Sequence, residues 1–208
     1  MTAYFLNRQQ AGLELVQHLQ NKQFDVVLAL PRGGVPLGVI ISEKLQIPLD
    51  ILLVRKLGTP YNEEFAFGAI TSHGKPYYNQ EIIASENIDK ATIDSIQSNQ
   101  QKELIRREKL YRQGKPPQAI RDKHTVIVDD GIATGATVKA ALNSLKEENP
   151  ASIALAIPVI PKETFKKLSP LVDELIALYQ PSIFYAVGQF YQEFNQVSDE
   201  EVIQMLSS

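Results

Sequence analysis

The chain reads as an α/β fold, a doubly wound and mostly parallel sheet, on three observations. Short apolar runs rich in β-branched residues recur along it, helical patterns separate them, and the loops after the runs carry glycines or charges. At 208 residues the expectation is one domain over 1–208, with a hairpin and helical insertion over 59–120 and a small C-terminal hood over 179–208.

Asn7 and Gln10 form an N-cap pair, and Leu13, Val16 and Leu19 give an apolar stripe, which predicts a helix over 8–20. FDVVLAL over 24–30 is a mostly buried strand, with Asp25 near its exposed start. Pro31-Arg32-Gly33-Gly34 then turns into a helix over 35–45, and a second strand over 49–54 completes a βαβ unit. Residues 61–78 alternate apolar and polar around Ser72-His73-Gly74-Lys75, the pattern of a projecting β-hairpin. Residues 89–112 form a long polar helix whose sparse apolar positions, Ile93, Ile96, Leu104 and Ile105, bury little unaided. A homodimer is the candidate cover for it. Later come a strand over 125–128, a helix near 134–147, a strand over 153–159, a short helix over 162–167 and a strand over 174–178. An acidic helix begins near 198–201.

The densest chemistry lies in VIVDDGIATGATV, residues 126–138. A buried strand ends in two carboxylates, Asp129 and Asp130, and a small-residue loop leads into the next helix. Gly131, Ala133, Gly135 and Ala136 carry little bulk, so backbone N–H groups can curl around an anion where the helix dipole also favours negative charge. Thr134 and Thr137 add hydroxyl donors. Asp129 and Asp130 would repel a phosphate set directly against them, so they either accept from sugar hydroxyls or hold a cation further along the ligand. The combination points to a ribose 5-phosphate. The other phosphate loops fit worse: no GxxxxGK[ST] occurs, and Gly33 to Gly38 lacks the GxGxxG spacing.

In such a sheet the loops after successive strands converge, so PRGG and VRKLGTP (54–60) are expected near Asp129 and Asp130. Arg32 could grip phosphate in a fork, with Gly33 and Gly34 allowing close backbone approach; a plain glycine turn with an exposed arginine is the simpler alternative. Arg55 and Lys56 suit a charged leaving group, with mobility from Gly58, and Glu63 and Glu64 are candidate acid or base groups. IFYAVGQFYQEF (183–194) offers rings either to stack on a flat heterocycle or to cap the sheet edge.

Composition excludes other classes. A net charge of −3 argues against general nucleic-acid binding, although Lys102, Arg106, Arg107, Lys109, Arg112, Lys115, Arg121 and Lys123 form a basic run. That run is read as a solvated helix face, with nucleic acid or a partner chain as the alternative. No apolar run approaches a membrane span, no secretory signal is visible at the start, and cysteines are absent, so no membrane partner is expected and the cytoplasm is the default location.

The 126–138 segment resembles the phosphoribosyl pyrophosphate (PRPP) motif of the type I phosphoribosyltransferases. That resemblance implies that Asp129 and Asp130 with Gly131, Ile132, Ala133, Thr134, Gly135, Ala136 and Thr137 bind PRPP, and that Asp129 and Asp130 are the protein's ligands to Mg2+. Arg32, Gly33 and Gly34 match the pyrophosphate loop where hypoxanthine-guanine enzymes carry K-G-G, with a non-proline cis bond expected at Arg32–Gly33. Val54-Arg55-Lys56 resembles the start of the flexible loop of orotate and adenine enzymes, which makes Arg55 and Lys56 further pyrophosphate ligands and, with Glu64 and Asp130, the catalytic candidates. The segment around Val187 resembles more loosely the F-V-V-G stretch that lines a purine pocket, giving Ile132, Tyr185, Val187 and Phe190 as base-binding candidates. Three departures stand out. Gly131 replaces a usually larger apolar residue, Ala133 stands where hypoxanthine-guanine enzymes have an aspartate and adenine enzymes an alanine, and Gln189 or Phe190 falls where another aspartate is usual. The expected activity is transfer of ribose 5-phosphate from PRPP to a nucleobase-like acceptor, a purine rather than a pyrimidine, with release of pyrophosphate. The alternative is a non-catalytic regulator that binds PRPP or a nucleotide on the same fold.

Overall fold

The computed structural model describes residues 4–73 and 75–207, and the side chains of Glu63 and Glu64 lie outside the described residues. In chain order the elements are α1 (Arg8–Leu19), β1 (Val26–Ala29), α2 (Val35–Leu45), β2 (Leu49–Ile51), β3 (Val54–Thr59), β4 (Asn62–Thr71) and β5 (Tyr77–Tyr78). There follow α3 (Gln80–Ser85), α4 (Lys90–Arg112), β6 (His124–Val128), α5 (Ala136–Lys146), β7 (Ser152–Val159), α6 (Lys162–Leu168), β8 (Glu174–Tyr179) and α7 (Asp199–Ser207). The chain divides into two compact units: Met1–Ile51, Gln118–Gly135 and Pro150–Ser208 form one, Leu52–Pro117 and Ala136–Asn149 the other.

The first unit is built on a parallel five-stranded sheet in the order β2-β1-β6-β7-β8. β1 is buried along its whole length and β6 from Thr125 onward, which is why both read as continuous apolar runs rather than alternating ones. β8, at the edge, is only half-buried throughout. Local rules start the helices as the residues dictate: the Asn7 side chain accepts from the Gln10 N–H at 3.0 Å, and the Gln10 side chain accepts from the Leu6 N–H at 2.6 Å, so two orphan donors of the α1 terminus are satisfied. Ser198 and Glu201 reciprocate in the same way at the start of α7.

The second unit is an antiparallel three-stranded sheet, β3-β4-β5, with α3, α4 and α5. α5 buries Val138, Ala141, Leu142 and Leu145, and its buried Ser144 hydroxyl meets that of Thr71 on β4 at 3.0 Å and donates to the Lys75 carbonyl at 2.7 Å.

Three expectations are corrected. The strand expected over 49–54 breaks after Ile51: Leu49–Ile51 pairs parallel with β1, whereas Val54 pairs antiparallel with Thr71 in the other sheet. Arg55 and Lys56 therefore lie inside a hairpin strand, not at the end of a parallel one. The long hairpin joins β3 to β4 through Pro60-Tyr61, ahead of the expected turn at Ser72, which leads only to the two-residue β5. α5 begins at Ala136 because Gly135 takes a left-handed φ of 75° that no helix tolerates. The aromatic stretch over 183–194 holds a 3-10 turn at Val187–Phe190.

Candidate functional site

β6 ends at Val128 and delivers Asp129 and Asp130 at the carboxyl edge of the parallel sheet. Asp129 Oδ1 accepts from the Asp130 N–H at 2.9 Å. Asp130 is only 8% exposed, and its Oδ2 accepts from Nε of Arg8 at 2.8 Å and faces a second Arg8 nitrogen at 2.8 Å. The third guanidinium nitrogen donates to the Asn195 carbonyl at 2.7 Å, and the Phe194 ring lies 3.9 Å from the guanidinium carbon. The Tyr191 hydroxyl donates to the Asp130 carbonyl. No other described residue hydrogen-bonds to Oδ2 of Asp129 or to Oδ1 of Asp130. Protein packed around the carboxyl of Asp129, together with the adjacent Asp130 charge, pushes its pKa well above the usual carboxylate range. Burial also raises Asp130, while Arg8 opposes the rise.

The PRGG turn closes over this pair. A Cβ on Gly33 would stand 2.0 Å from Asp130 Oδ2, and one on Gly34 would stand 2.6 Å from the Val128 carbonyl, so both glycines are required by close packing within the protein itself. The cis bond lies one residue earlier than expected, at Pro31–Arg32 rather than Arg32–Gly33. Arg32 lies 3.6 Å from Asp199 at the start of α7 and, with Arg8, Gly33, Asp130, Phe194, Gln196 and Val197, lines a cavity of about 400 Å³.

Beyond the acids, the Ile132 N–H donates to the Val159 carbonyl at 3.0 Å and the Thr164 hydroxyl donates to the Ala133 carbonyl at 2.7 Å, so β7 and α6 fix the loop. The departure at Gly131 has a packing cause: a Cβ there would stand 2.4 Å from a methyl of Val187, whose segment comes down directly on the motif. Ile132 and Phe190 are buried, and the Phe190 ring packs against those of Tyr179 and Phe184. Neither residue appears among those lining the neighbouring cavity of about 680 Å³, which Ala133, Thr134, Pro161, Lys162, Phe184 and the 81% exposed Tyr185 do line.

In the second unit Arg55 donates from Nε to the Gln100 side chain of α4 at 2.8 Å. Arg55, Lys56, Thr59, Asn99, Gln100 and Thr137 contribute to a cavity of about 420 Å³. Thr137 stands in the first turn of α5. The side chain of the candidate Glu64 lies outside the described residues, as does that of Glu63.

A strand, two acids and a small-residue loop into a helix form one segment of a longer match: the family described as "Phosphoribosyl transferase domain" aligns with residues 11–191. The chain belongs to that family. A Mycobacterium tuberculosis protein provisionally named a phosphoribosyl transferase is 41% identical over 204 residues. The match takes in 97% of this chain and 46% of that protein, so the chain spans about half the length of the curated relative. A crystal structure of a protein from Thermus thermophilus superposes with a TM-score of 0.89 at 36% identity, covering 97% of both chains. A purine phosphoribosyltransferase from Pyrococcus horikoshii superposes at 0.51 with 19% identity over 93% of this chain and 97% of its own, a likeness of fold alone. The fold is that of the type I phosphoribosyltransferases, as expected.

Sequence reasoning missed Arg8, Phe194 and Tyr191, of which Arg8 and Phe194 lie outside the residues matched to the phosphoribosyl transferase domain. Arg8 did carry a signal. It occupies the first position of α1, where a cation opposes the helix dipole at a cost of about 0.3–1 kcal/mol, which implies a partner elsewhere. Among the described residues no group of three or more His, Cys, Asp and Glu gathers as a metal site, and no helix is long and apolar enough to cross a membrane.

Proposed function

We propose that the chain transfers the ribose 5-phosphate group of PRPP to a nitrogenous base, a purine rather than a pyrimidine, and releases pyrophosphate. The observation that carries this reading is the pair of carboxylate oxygens, on Asp129 and Asp130, that no other described residue engages, at the head of a small-residue loop that runs into a helix N-terminus. Two such acceptors suit the two hydroxyls of a ribose, and the backbone N–H groups of the small-residue loop suit its 5-phosphate. In the reaction a base nitrogen attacks the anomeric carbon. The bond from that carbon to the pyrophosphate oxygen breaks, and pyrophosphate leaves with the electron pair. The protein's part is to orient and neutralise: Asp129 and Asp130 hold the sugar, residues 132–137 hold the phosphate, and Arg32 balances charge on the leaving group. Assignment of Arg55 and Lys56 to that same charge rests on the sequence resemblance, and that of Glu64 to proton transfer on its place in the segment that follows them, since the loop glutamate of the adenine enzymes falls nearer Ala66.

Two carboxylate oxygens without a third protein ligand fit a magnesium ion, which keeps waters and substrate oxygens in its shell. When bound, Mg2+ would neutralise the pyrophosphate. The acceptor is assigned to the cavity beside Ala133 and Thr134, where Phe184 and Tyr185 offer rings to a flat heterocycle.

Pyrophosphate release from PRPP and Mg2+, measured with a panel of purine and pyrimidine bases, tests the proposal; release with a purine and not with pyrimidines is the expected result. One set of contacts favours a second reading, a PRPP-binding regulator: Arg8 and Arg32 already face in-chain carboxylates, and Ala133 supplies no proton acceptor. Binding of PRPP with no release from any base selects that reading. Unchanged PRPP binding by the Asp129→Asn, Asp130→Asn double variant overturns both.

A further inference from the structure

We propose that Arg8 is a positioning residue for the sugar, acting through Asp130 and staying in place when ligand binds. The inference rests on the ribose-binding reading above and extends it to a residue outside the motif. Both Arg8 contacts to Asp130 fall on a single oxygen, Oδ2, leaving Oδ1 as an acceptor to which no other described residue hydrogen-bonds. A guanidinium on one carboxylate oxygen fixes the plane of the group, and it consumes none of the capacity of the other oxygen.

Three independent contacts argue that Arg8 is not displaced by ligand. Besides Asp130 it holds the Asn195 carbonyl at 2.7 Å and lies against the Phe194 ring at 3.9 Å, and its side chain is 12% exposed. Pulling it away would leave a buried carboxylate beside a second one, with its cation unpaired, which is far costlier than leaving a surface ion pair. The glycine at position 33 completes the arrangement, because any side chain there would collide with the oxygen that Arg8 holds. The cation sits on the first turn of α1 against the helix dipole, a placement with no local benefit. The N-terminal helix and the Phe194-Asn195 segment thus set the orientation of a motif acid that lies far from both in sequence.

Calorimetric titration of the whole chain with ribose 5-phosphate and, separately, with inorganic pyrophosphate tests this. Arg8→Gln removes a charged hydrogen bond to the acid and is expected to weaken ribose 5-phosphate about tenfold. Pyrophosphate, which has no contact with Asp130 in this reading, is expected to bind unchanged. Arg8→Lys keeps the cation and is expected to recover most of the loss, which a merely structural role would not predict. Phe194→Leu leaves the charge and loosens only its seat, so a smaller loss in the same direction is expected even if Arg8→Gln does not fold. Ribose 5-phosphate binding as tight as, or tighter than, that of the unsubstituted chain in Arg8→Gln, or in both other variants, overturns the proposal. So does a parallel loss of both ligands in every variant. If the unsubstituted chain binds no ribose 5-phosphate, the functional reading itself fails and the role of Arg8 falls with it.

Discussion

At the scale of single residues, the glycines of this site answer to protein neighbours. Gly33 and Gly34 were read as giving a phosphate access to backbone, yet each is pressed against Asp130 or the β6 backbone, contacts that no spacing rule reveals. Gly33→Ala is therefore expected to cost about 1–3 kcal/mol by overpacking. Because the Asp130 carboxylate is anchored by Arg8, the same change should also weaken PRPP binding; denaturant unfolding and PRPP titration check the two parts. Gly131 follows the same logic with a different partner. Gly131→Ile restores the bulk usual in similar motifs and is expected to destabilise by about 1–3 kcal/mol. Val187→Ala in that background should return part of the loss, and a double-mutant cycle in urea reads the coupling. The acids and the small-residue loop were legible because they are contiguous. Arg8 was not, because its partners lie 122 residues away at Asp130 and 187 away at Asn195.

At the scale of elements, helices were read closely and strands less so. Caps are local chemistry: Asn7 with Gln10 starts α1, and Asp89 accepts from the Thr92 N–H at 2.7 Å to start α4. The break after Ile51 was invisible because LDILLV is apolar on both sides of it, and nothing in the periodicity marks the change of sheet. α4 shows how its basic run is used: Glu103 takes hydrogen bonds from Arg106 at 2.8 Å and Arg107 at 2.9 Å, which lower its pKa from 4.5 to about 2. A depressed carboxylate stabilises the fold fully above its ordinary value and loses that contribution as pH falls from 4.5 through about 2. The Arg106→Gln, Arg107→Gln double variant is accordingly expected to show a shallower loss of stability across that acid window. Urea midpoints at successive pH values measure it, and the effect should be small, as for exposed ion pairs.

At the scale of the whole molecule, the sheet is assembled from distant partners: β1 lies beside β6, with Val26 against Thr125. Fold class followed from the alternation of runs and helices, but strand order did not, since it depends on pairings that leave no trace in local pattern. Parallel pairing of this separation must close a long loop before any contact rewards it, so slow folding is expected relative to helical domains of the same size. Native-state hydrogen exchange should find the amides of the buried β1 and β6 among the last to exchange. α3, which buries none of its residues, and α4, which buries only Leu104, Tyr111 and Arg112, should exchange first. Similar protection in α4 and β6 would contradict that ranking.

The seat of Arg8 also has a bearing on biosynthesis. Synthesis runs from the N-terminus at about 5–20 residues per second, so the guanidinium leaves the ribosome well before the Asp130 carboxylate and longer still before the Phe194 ring. For that interval a growing chain carries the motif acids with their counter-charge unseated. The sugar-binding edge is finished only when the segment around Phe194 and Asn195 has emerged, and a nascent chain cut short before it holds the complete motif without a complete site.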